Sequence, residues 1–309
     1  MKVRVYGFEW QMGSGIPITE FCSYLKILPG PPETNKIITF CDLGDYMGGL
    51  LISIKNMKAY CQMKVDGGSF TVSPQKLEDN ESIADFNYFI IHKETHKGLY
   101  QHYHHSLATT SFCNFCRSNY NKLRSSTIYK EIEEAGGKDS LTKRQKKEIY
   151  DKYKGTFSYS ILLKPDNFTQ YVKQMKNIKD FSVEFSSISD QEKAFLPASE
   201  LSKRVSHKFI FSEESIVDTI KEKILETLDI SDTKKANVTG SDIYGEKVSY
   251  KMFKDYASFD EFDYNDIIDN VAIDSDNLES SLRGSEIINM LAKIASESPV
   301  RQLLNKKTK

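Results

Sequence analysis

The sequence lacks any long run of apolar residues. Its most apolar stretches, "GGLLISI" and "YSILLK", are far shorter than the roughly 20 residues that a membrane-spanning helix needs. The first ten residues alternate charged and apolar side chains, which is not the pattern of a secretory signal. We therefore expect a cytoplasmic protein that would meet a membrane only through a partner.

The sequence also lacks a charge excess. It has 42 Lys and Arg against 43 Asp and Glu, so no overall field attracts it to nucleic acid, membranes or acidic substrates. Any charged partner must be met by a local patch. Five cysteines, an odd number in a long chain, indicate reduced thiols rather than a disulfide framework.

What the sequence does contain is enough apolar residues for a full core. Its length of 309 residues, of which 39% are hydrophobic, fits one large domain or two modest ones. In the first third, "KVRVYGFEW" predicts a strand and "ITEFCSYLKIL" a helix. Asp66-Gly67-Gly68 predicts a hairpin turn between "MKAYCQMKV" and "SFTVS", and "FNYFIIHK" with "LYQHYHHSL" predicts a second hairpin.

The second half has a different rhythm. "TFSYSILL", "DNFTQYVKQMKNI" and "DFSVEFSSI" predict a strand, a helix and a strand, and "HKFIF", "SEESIVDTIKEKILETL" and "EKVSYKMF" repeat that order loosely. The predicted fold class is therefore α+β: an N-terminal antiparallel, hairpin-rich sheet with few helices, followed by a strand-helix-strand half. We expect four segments: a mainly antiparallel β region (1–116), a basic helical insertion or linker (117–154), an α+β domain (155–255), and an acidic segment with a terminal helix and a basic tail (256–309).

The insertion is the clearest basic patch. Residues 117–154 carry 11 basic and 6 acidic side chains, a net charge of +5. Within them "SLTKRQKKEIYDKYK" predicts a helix that could bind phosphates. The alternative is a solvated charged face on which Leu141, Ile149, Tyr150 and Tyr153 only anchor the helix. The candidate nucleic-acid-binding residues are Lys143, Arg144, Lys146 and Lys147.

The acidic segment is the natural counterpart of that helix. Residues 256–286 hold nine acidic side chains and one arginine, a net charge of −8. This segment could cover the basic helix, within the chain or across a dimer, until a partner displaces it. The alternative is a solvated acidic surface.

Five of the six histidines and two cysteines lie between residues 92 and 116. A structural zinc site needs four ligands, usually paired at short spacing. Cys113 and Cys116 form one such pair, and His92 with His96, or His102 with His104, could form the other. A single CxxC is a weak signal, and the alternative is a sheet with partly exposed histidines followed by two buried thiols.

Two catalytic patterns also occur. His104 and Ser106 match half of the paired His-x-Ser/Thr signature of two-histidine phosphoesterases, but His207 is followed by Lys-Phe and does not complete it. Asp242 and Glu246 lie at a predicted strand turn, as the carboxylates of a metal-dependent nuclease would. Lys247, directly after Glu246, would point to the opposite face of the sheet. The candidate catalytic residues are His102, His104, Asp242 and Glu246.

One resemblance adds to this reading. The order of elements around "FNYFIIHKETHKGLYQHYHHS" and "YSILLKPDNFTQYVKQMKNIKDFSVEFSS" resembles uncharacterised bacterial proteins of anti-phage defence islands, over about residues 82 to 190. It transfers no catalytic residue. It implies a cytoplasmic defence component that binds nucleic acid or a phage protein.

Three hypotheses follow. The first is a non-enzymatic binding component of anti-phage defence, a homo-oligomer that recognises nucleic acid or a phage or host protein through residues 117–154. The second is a phosphodiester-acting, nuclease-like enzyme that would use Mg²⁺. The third is a zinc-stapled interaction module. The sequence itself favours no cofactor.

Overall fold

A computed structural model describes most of the chain. The described residues are 2–30, 33–55, 59–66, 69–79, 81–163, 165–185, 205–212, 215–229, 233–253, 261–268, 277–298 and 300–306.

The described strands form one large sheet and one separate hairpin. In chain order they are β1 (Lys2–Gln11), β2 (Lys36–Leu43), β3 (Tyr46–Lys55), β4 (Ala59–Asp66), β5 (Ser69–Lys76), β6 (Ile83–His92), β7 (Lys97–Tyr103), β8 (Ser158–Leu163), β9 (Asn177–Phe185), β10 (Val205–Ile210), β11 (Thr233–Ser241), β12 (Lys247–Phe253) and β13 (Glu261–Asp263).

The described helices lie mainly in the middle and at the end of the chain. They are α1 (Ile18–Lys26), α2 (Thr109–Glu134), α3 (Lys143–Lys152), α4 (Pro165–Gln174), α5 (Val217–Asp229), α6 (Tyr264–Ile268), α7 (Leu278–Arg283), α8 (Glu286–Ser296) and α9 (Val300–Asn305).

In the part of the chain that the structure describes, the large sheet has eleven strands, with β1 near its centre. The strand order is β10-β9-β11-β12-β8-β1-β7-β6-β3-β2, and β13 pairs with the start of β1. The neighbours in this order pair antiparallel except β12 and β8, which are parallel. Because β8 lies beside β1, the sheet is continuous from one half of the chain to the other. The hairpin β4-β5 stands apart from it.

Two hydrophobic cores lie on opposite faces of the sheet, because successive strand residues point to opposite sides. On β1, Phe8 and Trp10 belong to a core that is shared with α1, α2, α4 and α5. Val3 and Val5 belong to a second core, which is covered by the C-terminal helices α6 to α9. The buried side of α2, which includes Phe112, packs into the first core.

The predicted α+β class is confirmed, and so are both predicted hairpins. β4 pairs with β5 up to Asp66 and Ser69, while Gly67 and Gly68 lie outside the described residues. β6 pairs with β7. Helices are not few, however. The apolar run "GGLLISI" belongs to β3, and a helix of 26 residues begins at Thr109.

The acidic segment is described only in part. Glu261–Asp263 forms β13 beside β1, and α7 packs against β2 and β3. Residues 254–260 and 269–276 lie outside the described residues. Among the helices that the structure describes, none is long and apolar enough to cross a membrane.

Candidate functional site

A cavity of about 210 Å³ lies at the N-terminal end of α2. Its walls come from distant parts of the chain: β1, β7, β8, the end of α4, and the turn between β11 and β12. The sheet brings these elements together, because β1, β8 and β12 are consecutive in the strand order.

Tyrosines form much of the cavity wall. The rings of Tyr171 and Tyr250 lie 4.8 Å apart at an angle of 32°. Tyr6 contacts the His102 ring edge to face, with 5.8 Å between centroids. Burial and the neighbouring Tyr6 raise the pKa of Tyr171. Burial and, to a smaller extent, the nearby Asp242 raise the pKa of Tyr250. Both phenols are therefore neutral near pH 7 and present flat apolar faces with polar tips.

His102 is the imidazole of this cavity. Burial lowers its pKa, and the charges of His104 and Arg4 act in the same direction, while a hydrogen bond with the backbone of Ser106 opposes them. The ring is therefore neutral near pH 7. A neutral imidazole has one donor and one acceptor nitrogen.

Asp242 provides the carboxylate. Its Oδ1 accepts hydrogen bonds from the backbone N–H of Tyr244 at 2.9 Å and of Glu246 at 3.0 Å. These bonds fix the turn between β11 and β12, in which Gly245 adopts a positive φ of 84°. Oδ2 makes no hydrogen bond or ion pair within the described residues. The same turn carries two exposed hydrophobic side chains that also line the cavity, Ile243 and Tyr244.

The first turn of α2 forms a further part of the cavity wall. Its N-cap residue is Ala108, which provides no side-chain acceptor for the N–H groups of that turn. Thr109 and Thr110 line the cavity. Thr109 is only 7% exposed.

No protein-family model matches the chain, and no curated protein matches it. The chemistry of the cavity is therefore inferred from its own residues. They combine flat aromatic faces, a carboxylate oxygen and a neutral imidazole with the positive end of a helix dipole. Such a cavity can bind a ring that carries N–H donors and an anionic group.

The structure brings two of the four candidate catalytic residues together. His102 and Asp242 line the same cavity, while His104 and Glu246 do not line it. His104 is exposed and lies against the His105 ring. Glu246 forms an ion pair with Arg117 of α2 at 3.0 Å.

Ser106, from the same half-signature, has a structural role. Its hydroxyl accepts hydrogen bonds from the Asn87 side chain at 2.9 Å and from the Tyr103 backbone N–H at 3.0 Å. It donates to the Tyr103 carbonyl at 2.8 Å. These bonds hold the turn that follows β7.

Cys113 and Cys116 lie on the opposite face of the sheet from His92, and of the alternative histidine pair His102 lines the cavity while His104 is exposed. Cys113 and Cys116 belong to α2 and are buried in the core that this helix shares with the sheet. His92 contacts the Tyr46 ring, which packs against the other core, and His96 follows it in the next turn. Among the described residues, no group of three or more His, Cys, Asp or Glu side chains could hold a metal ion.

The basic helix forms as predicted and lies on the surface. The Thr142 hydroxyl and the Gln145 side chain form a capping box at the start of α3. Leu141 and Tyr153 are buried on either side of the helix, and Ile149 packs partly against the core. Tyr150, in contrast, is 50% exposed and is not an anchor.

The cationic side chains of α3 differ in their partners. Arg144 forms an exposed ion pair with Glu148 at 3.0 Å. Lys143, Lys146 and Lys147 form no ion pair within the described residues. Lys152, at the end of α3, forms an ion pair with Glu131 of α2. Tyr129, two residues before Glu131 in α2, is 66% exposed.

Sequence reasoning missed the tyrosines of the cavity and Thr109. Tyr6 and Tyr250 occupy alternating strand positions that look like ordinary core residues, and Tyr171 lies on the apolar face of a helix. The one signal that could have found the site was the pair of adjacent apolar residues, Ile243 and Tyr244, in a turn where exposure is expected.

Proposed function

We propose that this protein is a binding component of bacterial anti-phage defence that recognises nucleic acid through α3. The observation that carries the proposal is the group of lysines Lys143, Lys146 and Lys147, which α3 presents without ion-pair partners among the described residues. The defence context rests on the resemblance of residues 82 to 190.

The geometry of α3 supports contact with phosphates. Leu141 and Tyr153, at the two ends of the helix, are buried and hold it against the protein. The cationic side chains therefore lie on a fixed surface that a ligand can reach without a rearrangement of the helix. When lysines bind the phosphates of a nucleic acid, they displace the cations condensed on it. The release of these cations favours binding and makes the affinity depend on the salt concentration. Tyr150, an exposed tyrosine on the same helix, provides a surface on which an unpaired base can stack. This combination favours a single-stranded ligand.

A mobility-shift titration tests the proposal. Single- and double-stranded DNA and RNA are titrated at two salt concentrations, without and with magnesium. We expect binding that weakens steeply with salt. Replacing Lys143, Lys146 and Lys147 by Glu should weaken it on all sequences and reduce the salt slope by about 1 for each phosphate that the protein no longer neutralises.

The matched control makes the same change of charge elsewhere. Lys64, Lys76 and Lys208 are exposed lysines on β4, β5 and β10. Their replacement by Glu should reduce binding much less than the change on α3. Equal reductions would mean that only net charge matters, and an α3 variant that binds like the parent protein would sink the proposal. No shift on any nucleic acid would leave a phage or host protein as the partner.

A phosphodiester-acting enzyme remains the second candidate, because His102 and Asp242 share one cavity. It predicts product bands in the same titration when magnesium is present. Those bands should disappear in His102→Gln, while the nucleic-acid shift through α3 is retained.

A homo-oligomer is also part of the proposal. β10 is an edge strand of the described sheet and carries the exposed side chains Phe209 and Ile210. Unpaired strand edges with apolar side chains favour pairing with a second chain. Light scattering should give a mass above that of one chain, and Ile210→Lys should reduce it.

A further inference from the structure

We propose that the cavity at the N-terminal end of α2 binds a nucleotide, at a site separate from the α3 surface. The size of the cavity, the chemistry of its walls and the exposed turn at its mouth each point to this ligand. The inference goes beyond the binding of nucleic acid by α3 and does not depend on it.

The volume limits the ligand to one ring system. At about 210 Å³, the cavity is below the roughly 300 to 1,000 Å³ that is typical of sites for drug-sized molecules. A nucleobase can enter such a space while its sugar and phosphate extend toward the first turn of α2. A folded or double-stranded nucleic acid cannot.

The aromatic walls favour a flat ring. Tyr171 and Tyr250 are neutral phenols whose rings pack against each other at an angle of 32°, and Tyr6 stands against His102. Bases stack on aromatic side chains with little dependence on sequence, because every base has a π-face. Ile161 and Met175 complete an apolar lining that suits a ring better than a chain of hydroxyl groups.

The polar groups favour a base with N–H donors. The Oδ2 of Asp242, which has no partner among the described residues, can accept from an exocyclic amino group or a ring N–H, as carboxylates accept from cytosine N4. The same negative charge disfavours an inorganic anion bound alone. His102, neutral and held through Ser106, adds a hydrogen-bonding nitrogen.

The first turn of α2 favours the phosphate. Its N–H groups lack a side-chain cap, and a helix of 26 residues presents the positive end of its dipole there. Thr109, only 7% exposed, lines the same cavity, and its hydroxyl is a second donor. A nucleotide is the ligand that satisfies a flat ring site, a carboxylate and a helix N-terminus together.

The turn between β11 and β12 provides the cover. Tyr244 is 83% exposed and Ile243 is also exposed, although both line the cavity. Large apolar side chains in a turn gain little from exposure, and contact with a bound base would bury them. The backbone bonds to Asp242 Oδ1 hold this turn in place before the ligand arrives.

Calorimetric titration of the full chain with the four ribonucleoside 5′-monophosphates tests the inference, with inorganic phosphate and glucose as comparison ligands. We expect at least one nucleotide to bind with a Kd below about 1 mM, at least tenfold tighter than either comparison ligand. Asp242→Asn keeps an oxygen for the turn but places an amide in the cavity. It should weaken binding at least tenfold, and Tyr244→Ala should weaken it without loss of stability.

Two controls separate this site from the others. Asp42→Asn changes an aspartate that accepts from the Gly44 backbone N–H at 2.9 Å in a turn at the far edge of the sheet, so it should leave the Kd unchanged. The α3 variant with Lys143, Lys146 and Lys147 replaced by Glu should also bind nucleotide normally. The inference is overturned if no nucleotide binds, if phosphate or glucose binds as well as the nucleotide, or if only the α3 variant loses affinity.

Discussion

The Glu9 carboxylate forms an ion pair with the Lys251 ammonium inside the large sheet, and the Glu9 side chain is only 3% exposed. The pair joins β1 to β12 across the intervening β8. The Lys97 ammonium lies 4.0 Å from the other Glu9 oxygen and donates to the Leu303 carbonyl of α9 at 3.3 Å. Burial lowers the pKa of Lys97, and Glu9 counteracts this shift.

Replacing Glu9 by Gln should strongly destabilise the fold. The variant retains the shape of the side chain but leaves two ammonium groups without their shared negative charge. Breaking a buried ion pair by removing one partner costs about 3 kcal/mol or more. Urea denaturation should show this decrease in stability. As a control, Glu226→Gln removes the partner of Lys223 at the surface and should change stability by less than about 1 kcal/mol.

The reactivity of the cysteine thiols should show how many of them are buried in the folded protein. Burial raises the pKa of Cys113 and Cys22 to about 12, and it raises that of Cys116 as well. Cys61 is the exposed cysteine. Since the thiolate is the reactive form, a disulfide reagent at pH 8 should modify one thiol in the folded protein and all five after denaturation.

A metal assay completes that test. If a zinc ion were bound by Cys113 and Cys116, denaturation would release about one equivalent of zinc, and a chelator would lower the stability of the folded protein. We expect neither effect, because these cysteines and His92 lie on opposite faces of the sheet.

Local sequence patterns predicted most of the elements and both hairpins. The alternation in β1, the turn at Asp66 and the apolar face of α4 depend on neighbouring residues, so they can be identified without knowing the rest of the fold. β3 was missed because "GGLLISI" is apolar except for Ser53 and shows no alternation. Its strand is buried between β2 and β6, so it has no polar face to produce alternation.

The cavity could be predicted only in pieces. His102 and Asp242 were candidates for separate reasons, and their meeting depends on the parallel pairing of β12 with β8 and on the place of β8 beside β1. No local pattern encodes a pairing between residues so far apart in the chain. The same long-range pairing turns Tyr6 and Tyr250 from ordinary strand residues into neighbours of one cavity.

Ser106 and His104 should behave very differently when replaced. Ser106→Ala removes a hydroxyl that serves the buried Asn87 side chain and the Tyr103 backbone. The Asn87 amide keeps its bond to the Gln101 carbonyl but loses one partner, and the turn loses the bonds to Tyr103, so stability should fall by about 1 to 3 kcal/mol and the melting temperature with it. His104→Ala removes an exposed side chain and should have little effect. A catalytic His-x-Ser pair would instead show activity abolished at both positions with stability unchanged, and thermal melts with an activity assay separate the two outcomes.

The buried imidazoles should make the fold less stable in mild acid. Burial lowers the pKa of His96; the nearby His92 adds to this shift and Glu9 opposes it. Burial also lowers the pKa of His102; the Ser106 backbone opposes this shift, while His104 and Arg4 add to it.

In the unfolded chain both groups return to a pKa of about 6.5. As the pH falls through that value, the unfolded chain therefore takes up protons before the folded one does, and stability decreases. Carboxyls whose pKa is lowered by ion pairs, such as Glu131 and Glu261, contribute only at lower pH because their ordinary pKa is 4.5. Melting temperatures measured between pH 7.5 and 5.5 should thus fall with pH, and the fall should be smaller in a variant with both His96 and His102 replaced by Gln. An equal fall in that variant would show that other groups carry the pH dependence.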